Sequence, residues 1–446
     1  MKTRLGFYIH TLGCPKNEVD SEVISSILEQ SGFVEVEDYQ DARVILINSC
    51  GFIMSAKEET INTIFDYVRT KNTDQKIVVL GCLAQRYKSE LPSLIPEVDG
   101  FIGADAYNQI ATILKRVIGG DERERYWGSS RSCSFIYRGR DRDTANVKRS
   151  YAFVKIADGC SNSCAFCAIP AIKGKYRSRQ IKDVVEEISN LVRSGYREIG
   201  LVSQDLTAYG LDLGSRDYLY RLLERIEEID GDFWVRLYYL YPRRIDERIL
   251  GLINQSSRIL HYLDIPLQHI SDDILRRMKR GHDSKFIERL IDKIRKNIPD
   301  VVIRSAFIIG FPSESRSDIN MLKRFLMRFR LDNVGFFKYS DEEGTDAYRM
   351  KEKISQRTID KRFREMYELQ EGISLDLNQE RIGKTYRVLI DYEDDEYYIG
   401  RYYGQAPEID GVVYIKKPEK SLSGFVNCKI IRADSYDLYG EVQFEE

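Results

Sequence analysis

Residues 158–170 read DGCSNSCAFCAIP and follow the apolar run YAFVKIA (151–157), which we predict to be a β-strand. The stretch places Cys160, Cys164 and Cys167 at C-x3-C-x2-C spacing on one short loop. Thiolates are the usual ligands of iron–sulfur clusters, and a compact loop lets three of them reach the same cube. Three protein ligands leave one iron of a [4Fe–4S] cluster open, whereas a fourth cysteine would favour plain electron transfer. The loop therefore predicts a cluster that takes part in chemistry.

A structural zinc site is the alternative interpretation of this loop. Zinc normally takes four ligands, in C-x2-C pairs with a second pair further along the chain. No second pair follows Cys167, and the nearest other cysteine upstream is Cys133. The ligand count therefore favours the iron–sulfur cluster. We expect Cys133 and Cys428 to be plain thiols, since a free cysteine often behaves as a small hydrophobic residue.

Composition narrows the class of protein. The chain has 446 residues, of which 43% are hydrophobic and 31% charged, so we expect two or three domains with buried cores. There is no apolar run long enough to span a membrane, and the N-terminal stretch resembles a first strand rather than a signal peptide. We therefore expect a cytoplasmic protein, in which cysteines serve as metal ligands or catalytic groups more often than as disulfides. The net charge of −2 does not suit a generic nucleic-acid binder, although it is compatible with a local basic patch.

Residues 1–120 alternate short apolar runs with helical patterns, which predicts an α/β domain with a parallel sheet. Three of the predicted strands end at a cysteine, namely Cys14, Cys50 and Cys82. Sites in parallel sheets lie outside the carboxyl ends of the strands, so we expect the fold to gather these three thiols at one edge. Residues 121–150 are polar, charged and aperiodic, and we predict a linker or an irregular connection there.

The rest of the chain falls into two further segments. Residues 151–375 contain six predicted strands separated by helices, which fits a partial (β/α)6 barrel with its site at the carboxyl ends of the strands. A full barrel would need two more strand–helix units. Residues 376–446 change to short β-rich runs divided by Gly, Pro and Asp, which predicts a small antiparallel β-barrel.

These motifs together resemble one family over nearly the full length of the chain. The cysteine loop is similar to that of the radical S-adenosylmethionine (SAM) superfamily. The strings TLGCPKNEVDSE, NSCGFI, GCLAQRY, KIADGCSNSCAFCAIP, GKYRSR and GFPSE are similar to those of the methylthiotransferases. That family joins an N-terminal methylthiotransferase domain, a radical SAM barrel and a C-terminal TRAM domain, in the order of the three segments above.

The resemblance implies two [4Fe–4S] clusters, one on the cysteine loop and one held by Cys14, Cys50 and Cys82. It implies that SAM at the first cluster is cleaved to a 5′-deoxyadenosyl radical, and that a second SAM methylates a sulfur attached to the other cluster. The radical would remove hydrogen from an unactivated C–H bond, where the methylthio group is then installed. The cavity must exclude water and stray hydrogen donors. A sulfur donor and an electron donor are implied as partners.

Five further residues are candidates for contacts with SAM or substrate. Phe166 would pack on the adenine or belong to the core, and Arg304 would bind the SAM carboxylate or form an ion pair inside the barrel. Gln204 and Asp205 end a predicted strand, where they would meet ribose or substrate or serve the fold alone. Gly310 begins the string GFPSE and would bring the backbone close to SAM or simply form a turn.

The substrate is predicted first from the charge of the C-terminal segment. Methylthiotransferases act either on a modified adenosine of tRNA or on an aspartate of a ribosomal protein. Residues 376–446 contain 9 Lys and Arg against 15 Asp and Glu, a net charge of −6. Phosphate contacts dominate nucleic-acid affinity and need positive charge, so an acidic barrel suits a basic ribosomal protein better than tRNA. A surface that is merely kept in solution by its charges is the alternative.

Four strings, VSQDLTAYG, YLDIPLQHISD, YSDEEGT and APEIDG, resemble the branch of the family that modifies a ribosomal protein. In the tRNA branch an arginine usually precedes the Gly-Thr of the third string, where this chain has Asp341, Glu342 and Glu343. We therefore predict methylthiolation of the β-carbon of an aspartate in a small-subunit ribosomal protein, without direct nucleic-acid binding. The alternatives are a tRNA adenosine methylthiotransferase and a non-enzymatic iron–sulfur protein that binds ribosomes or carries electrons.

Overall fold

Six parallel strands form the first sheet, in the order β2-β1-β3-β4-β5-β6. The computed structural model describes residues 5–120, 125–128, 136–143 and 149–444. The strands of this sheet are β1 (Leu5–Thr11), β2 (Phe33–Glu35), β3 (Val44–Ser49), β4 (Lys76–Gly81), β5 (Gly100–Ile102) and β6 (Tyr126–Trp127). The helices are α1 (Pro15–Gln30), α2 (Met54–Thr70), α3 (Cys82–Arg86), α4 (Leu91–Leu94) and α5 (Ile110–Ile118). The central strands β3 and β4 are buried almost throughout, as expected of parallel strands covered on both faces.

Two local differences from the sequence-based expectation occur here. The single helix predicted over 83–91 is wrong, because the chain breaks between α3 and α4. Pro92 lies in the first turn of the second helix, where proline fits, but proline cannot continue a helix that has already begun. In the predicted connection 121–150, β6 adds the sixth strand to the sheet.

A second parallel sheet has the order β14-β13-β12-β11-β10-β7. Its first and last strands do not pair within the described residues, so the predicted partial (β/α)6 barrel is confirmed. The strands from 151 to 338 are β7 (Tyr151–Lys155), β8 (Ala157–Asp158), β9 (Arg177–Ser178), β10 (Glu198–Val202), β11 (Trp234–Leu237), β12 (Ile259–Asp264), β13 (Val302–Ile309) and β14 (Asn333–Lys338). β8 and β9 form a separate two-stranded pair.

Helices cover the outer face of this barrel, where most of their buried residues belong to the largest hydrophobic core. They are α6 (Ile169–Lys173), α7 (Ile181–Ser194), α8 (Tyr218–Glu227), α9 (Glu247–Gln255), α10 (Asp272–Arg277), α11 (Ser284–Asn297), α12 (Arg316–Phe329) and α13 (Gln356–Gln379). No helix in the described part of the chain combines the length and the apolarity needed to cross a membrane.

The last five strands close into a small barrel, as predicted. They are β15 (Thr385–Glu393), β16 (Tyr397–Tyr402), β17 (Val413–Lys416), β18 (Phe425–Ala433) and β19 (Leu438–Val442). Four of the pairings are antiparallel, whereas β17 and β19 run parallel. The expectation of a purely antiparallel barrel is therefore corrected at that one pairing.

Buried charges join the C-terminal barrel to the amino end of the middle barrel. Glu198, the first residue of β10, accepts hydrogen bonds from the guanidinium of Arg236 at 2.6 Å and from that of Arg401 at 2.5 Å. Arg236 also donates to the backbone carbonyls of Tyr403 (2.7 Å) and Gln405 (2.9 Å). Since all three charged side chains are buried, this junction fixes how the two barrels are oriented.

The same C-terminal segment reaches further along the interior of the middle barrel. The hydroxyl of Tyr262 donates to Asp410 at 2.6 Å, and Arg304 lies 3.6 Å from the other oxygen of that carboxylate. Residues 403–410 thus close the amino end of the middle barrel, opposite the end that carries the cysteine loop. We call these eight residues the plug segment.

Replacing Glu198 with Gln is expected to destabilise the junction by about 3–5 kcal/mol, because two buried guanidinium groups lose their shared carboxylate. Calorimetric unfolding should show a lower Tm and earlier melting of the C-terminal barrel. Glu396→Gln, an exposed change on the same barrel, serves as the control and should leave the Tm unchanged. Equal Tm values for Glu198→Gln and the parent protein would contradict the assignment.

Candidate active site

The cysteine loop is pinned by the chain that returns beside it. Gly159 has a φ of +75°, and a Cβ at this position would lie 2.2 Å from the carbonyl oxygen of Lys175. The next residue, Cys160, donates its backbone N–H to the carbonyl oxygen of Gly174 at 3.0 Å. Only glycine fits this close approach, so the local sequence D-G-C fixes where the first thiol lies.

Hydrogen-bond donors surround the thiols of the loop. The Sγ of Cys160 accepts from the backbone N–H of Asn162, and the Sγ of Cys164 accepts from Nη1 of Arg280, both at 3.4 Å. Burial raises the pKa of Cys160, and it raises that of Cys167 to about 12. The thiols of Cys160 and Cys167 therefore hold their protons at neutral pH and release them when they bind metal. Donors to sulfur are a common feature of iron–sulfur sites.

The N-terminal cysteines meet at one edge of the first sheet. Cys14 precedes α1, Cys50 follows β3, and Cys82 begins α3. A Cβ on Gly13 would lie 3.2 Å from the Sγ of Cys50, and a Cβ on Gly51 would lie 3.1 Å from the carbonyl carbon of Cys82. Burial raises the pKa of Cys82 to about 12. The structure thus brings together three thiols that are far apart in sequence.

The two groups of cysteines lie next to each other across the domain boundary. Cys82 belongs to a small buried cluster with Ala168 and Ile172, and Ala168 directly follows Cys167 in the chain. The N-terminal cysteines and the loop cysteines therefore border one shared interior.

Buried ion pairs align the same boundary. Asp20 on α1 accepts a hydrogen bond from the ammonium of Lys173 at 3.1 Å and another from Lys155. Lys155 also contacts Asp158, at the start of the cysteine loop, at 3.3 Å. Each of these four side chains is at least nine-tenths buried, so the N-terminal domain has little freedom to slide over the barrel.

Glu342, Arg86 and Lys57 form a second set of contacts between the N-terminal domain and the middle barrel, which we call the latch. Glu342 is buried and accepts from Nη1 of Arg86 at 2.6 Å and from the ammonium of Lys57 at 3.0 Å. Arg86 also donates to the carbonyl of Gly51 at 2.9 Å, directly after Cys50. Glu342 belongs to the acidic string YSDEEGT, which suggested a protein substrate. Its charge is therefore buried in ion pairs and does not face a partner.

The chemistry of the donor set is the main test of fit to a cluster. Among the described residues, no three Cys, His, Asp or Glu side chains are grouped so that they could hold a metal ion as they stand. The loop supplies three thiols, and the one carboxylate at its start, Asp158, contacts the ammonium of Lys155. Thiols alone, with N–H donors to sulfur, are what a [4Fe–4S] cluster requires of a protein.

Phe166 and Gly310 lie on the loop side of the barrel. Phe166 is half-buried and packs on one side against a cluster that includes Met278, Ile308 and Phe311. Gly310 has a φ of +88°, and a Cβ there would lie 2.4 Å from Ile359. The positive φ of the turn and the close packing of α13 therefore both require glycine at position 310.

Asp205 is held by the protein rather than open to a ligand. It is buried, and its carboxylate accepts from Asn162 at 2.7 Å and from Thr207 at 2.6 Å, and pairs with Arg244. Asn162 belongs to the cysteine loop, so Asp205 braces that loop from β10. Gln204, the preceding residue, is half-buried.

Arg304 forms the ion pair that was the alternative to a SAM contact. Its guanidinium lies 3.1 Å from Asp264 and 3.6 Å from Asp410 of the plug segment. Cys428 lies fully buried in the C-terminal barrel, and burial raises its pKa to about 12, in keeping with a plain thiol. Cys133 lies outside the described residues.

Two cavities occur away from the cysteines. The larger, of about 810 Å³, lies between Arg197 of the middle barrel and Arg387 of the C-terminal barrel. The other, of about 460 Å³, lies beside α13 and the plug segment. Neither is lined by any of the six cysteines, so the chemistry of the thiols, not cavity size, identifies the site.

Three residues of the site escaped the sequence reasoning. Arg280, Glu342 and Lys16 all lie next to the cysteines or bind their loops. Lys16 carries a weak signal, because it is only two residues from Cys14. Arg280 and Glu342 are far from their partners in sequence, and no local pattern marks them.

Three families match the chain. The uncharacterized protein family UPF0004 matches residues 6–103, the Radical SAM superfamily matches 154–326 and the TRAM domain matches 382–442. The three matches fall, in this order, on the N-terminal domain, the middle barrel and the C-terminal barrel. The expected fold class and the resemblance to radical SAM methylthiotransferases are confirmed.

Relatives cover the chain from end to end, and each is named ribosomal protein uS12 methylthiotransferase RimO. The protein from Acetivibrio thermocellus is 40% identical over 99% of both chains. The one from Natranaerobius thermophilus is 40% identical over 98% of this chain and 99% of its own. The one from Myxococcus xanthus is 39% identical over 99% of this chain and 92% of its own.

Solved structures resemble the fold at much lower identity. The radical SAM methyltransferase TsrM from Kitasatospora setae has a TM-score of 0.55 and 15% identity, and the match covers 75% of this chain and 73% of that one. The cobalamin-dependent SAM radical enzyme OxsB has a TM-score of 0.53 and 14% identity over 83% of this chain and 56% of its own. These similarities support the shared fold alone.

Glu342→Gln is expected to loosen the latch, because Arg86 and Lys57 lose a buried carboxylate. Hydrogen exchange of the backbone around residues 51–57 and 82–87 should become at least about 10-fold faster, the effect of roughly 1.4 kcal/mol. Asp341→Asn, on the more exposed neighbouring residue, is the matched control and should leave exchange in these segments unchanged. Unchanged exchange in Glu342→Gln would show that the latch does not hold this boundary.

Proposed function

The chain belongs to the family of ribosomal protein uS12 methylthiotransferases named RimO, and from that membership we propose that it installs a methylthio group on the β-carbon of an aspartate in uS12. The observation that carries the proposal is the identity of about 40% with these relatives over 99% of the chain. The chain is a radical SAM methylthiotransferase, and its Radical SAM domain implies SAM and a [4Fe–4S] cluster as cofactors.

We further propose two clusters rather than one. Cys160, Cys164 and Cys167 would hold the cluster that binds SAM. The N-terminal cysteines would hold the second, on which sulfur is presented. Support comes from the shared interior that both groups border, from the donors to the loop sulfurs, and from the absence of any fourth cysteine near either group in the sequence.

When bound, SAM and the clusters supply the radical and the methylthio group. The protein's own residues hold the parts in place. Asp205 keeps the cysteine loop in position through Asn162, and Arg280 supplies a positive charge beside Cys164. Ala168 and Ile172 pack against Cys82 and make this part of the boundary apolar, which suits a radical reaction that must exclude water. Phe166 is half-buried and packs against the core beside the cysteine loop.

The charge of the C-terminal barrel supports a basic protein as the substrate. Residues 393–396, Glu-Asp-Asp-Glu, are all exposed at the turn between β15 and β16. Asp391 and Asp410, by contrast, are used in internal pairs with Arg401 and Arg304. The exposed run, rather than the whole acidic count, is therefore the surface that would attract a basic ribosomal protein. A tRNA substrate would meet the same negative field and be repelled.

Mass spectrometry of ribosomal proteins and of tRNA from a deletion strain tests the substrate. Loss of the enzyme should remove a methylthio mass from uS12, because no other step installs that group in the proposal, and leave tRNA methylthio-adenosine unchanged. Re-expression of the parent protein should restore the mass. A uS12 that keeps its mass while a tRNA loses one would refute the protein substrate.

Cys50→Ala is expected to abolish the methylthio product while 5′-deoxyadenosine is still formed, because the loop cysteines remain intact. Iron should fall from about eight to about four atoms per chain if each group holds one [4Fe–4S] cluster. Cys164→Ala should instead abolish SAM cleavage, and Cys428→Ala, a buried thiol in the C-terminal barrel, should change neither readout. Full iron content in Cys50→Ala would contradict the second cluster.

A further inference from the structure

Lys16 differs from the other buried lysines in having no carboxylate partner. In the part of the chain that the structure describes, four lysines are at least nine-tenths buried, namely Lys16, Lys57, Lys155 and Lys173. The last three each pair with Asp or Glu. Among the described residues, no carboxylate lies within 4 Å of the Lys16 ammonium. Tyr239 and Cys14 are its near neighbours, and the carboxylate of Asp158 attracts it only from further away. A buried ammonium that makes no direct contact with a carboxylate is costly, so a carboxylate from another molecule would stabilise it.

The position of Lys16 is set by both domains. It lies in the first turn of α1, two residues after Cys14, and its Nζ lies 3.8 Å from the centre of the Tyr239 ring. Tyr239 follows β11 at the carboxyl end of the middle barrel. The ammonium therefore lies where the N-terminal cysteines face the mouth of the barrel, in the interior that the loop cysteines also border.

Tyr239 is held in an unusual backbone conformation beneath this lysine. Its φ is +59°, a value that bulky residues rarely adopt. The backbone N–H donates to Asp264 at 3.0 Å, and the carbonyl accepts from Leu206 at 3.0 Å. Such strain persists where the surroundings impose it, and it collects at binding and catalytic sites.

We propose that Lys16 binds the side-chain carboxylate of the target aspartate and so selects an acidic residue as the substrate. The proposal rests on the proposed function, because it assumes that an aspartate enters this interior. The β-carbon of aspartate is bonded directly to the carboxyl carbon, so anchoring the carboxylate also fixes the C–H bond that reacts. A base of tRNA would bring no carboxylate to this ammonium.

The competing explanation is that Lys16 only offsets negative charge on a cluster held by Cys14. The two explanations differ in their dependence on the substrate. An anchor for the carboxylate discriminates between Asp and its neutral isostere Asn, whereas an offset for cluster charge affects both substrates equally.

The test compares uS12 carrying its target Asp with uS12 in which that residue is changed to Asn. Both are offered to the reconstituted parent enzyme and to Lys16→Met, and Kd and kcat/KM are measured. The parent should prefer Asp by about 10- to 100-fold in both quantities, the worth of one charge-assisted hydrogen bond. Lys16→Met should reduce that preference to less than about 3-fold. Lys285→Met, an exposed change on α11, should keep the parent's preference.

An unchanged preference for Asp in Lys16→Met, with lower activity on both substrates, would overturn the proposal in favour of charge offset. If Lys16→Met loses iron, the comparison is made with Lys16→Gln, which keeps a polar side chain of similar length but removes the charge. Its preference for Asp should shrink, and a preference equal to the parent's would again overturn the proposal. Failure of the parent enzyme to modify uS12 at all would remove the proposed function itself, a result distinct from modification without discrimination at Lys16.

Discussion

Asp20 accepts hydrogen bonds from Lys155 and Lys173 at the buried boundary between the first two domains. It lies on the helix that begins beside Cys14, and Lys173 ends the helix that begins just after Cys167. A buried ion pair that loses one partner leaves an uncompensated charge behind. Any shift of the N-terminal domain that separates Asp20 from these lysines is therefore strongly destabilising. The relative position of the two groups of cysteines depends on that alignment.

Local features of the site could be predicted from the sequence alone. The spacing of Cys160, Cys164 and Cys167 lies within one loop, and Cys14, Cys50 and Cys82 each follow a strand whose apolar run is plain to see. Parallel topology then brings strand ends to one edge without further information. The five-stranded closure of the C-terminal barrel was also predictable in kind, although the parallel pairing of β17 with β19 was not.

Partners from distant parts of the chain could not be predicted in this way. Arg280 reaches Cys164 across 116 residues, and Glu342 reaches Arg86 across 256. The charge count also led to an overestimate, because every acidic residue was treated as if it faced solvent. Asp410 is buried and pairs with Arg304, which lies outside the summed residues 376–446, so the sum overstates the negative charge that a partner meets there. Glu342 of the acidic string is likewise buried in an ion pair. Only the fold distinguishes a charge that holds the molecule together from one that faces solvent.

The plug segment has a consequence for how the chain matures on the ribosome. Arg401 meets Glu198 across 203 residues, so the middle barrel is synthesised long before the residues that close its amino end. Until those residues emerge, Glu198 and Arg236 have no Arg401 beside them and no carbonyls from the plug segment. Domains generally fold in the order of their synthesis. Here the buried charges of the earlier domain gain all their partners only after the later domain has been made. A chain that stops short of the C-terminal barrel would therefore carry a barrel with unsatisfied interior charges, open to proteolysis, and not an enzyme that merely lacks one module.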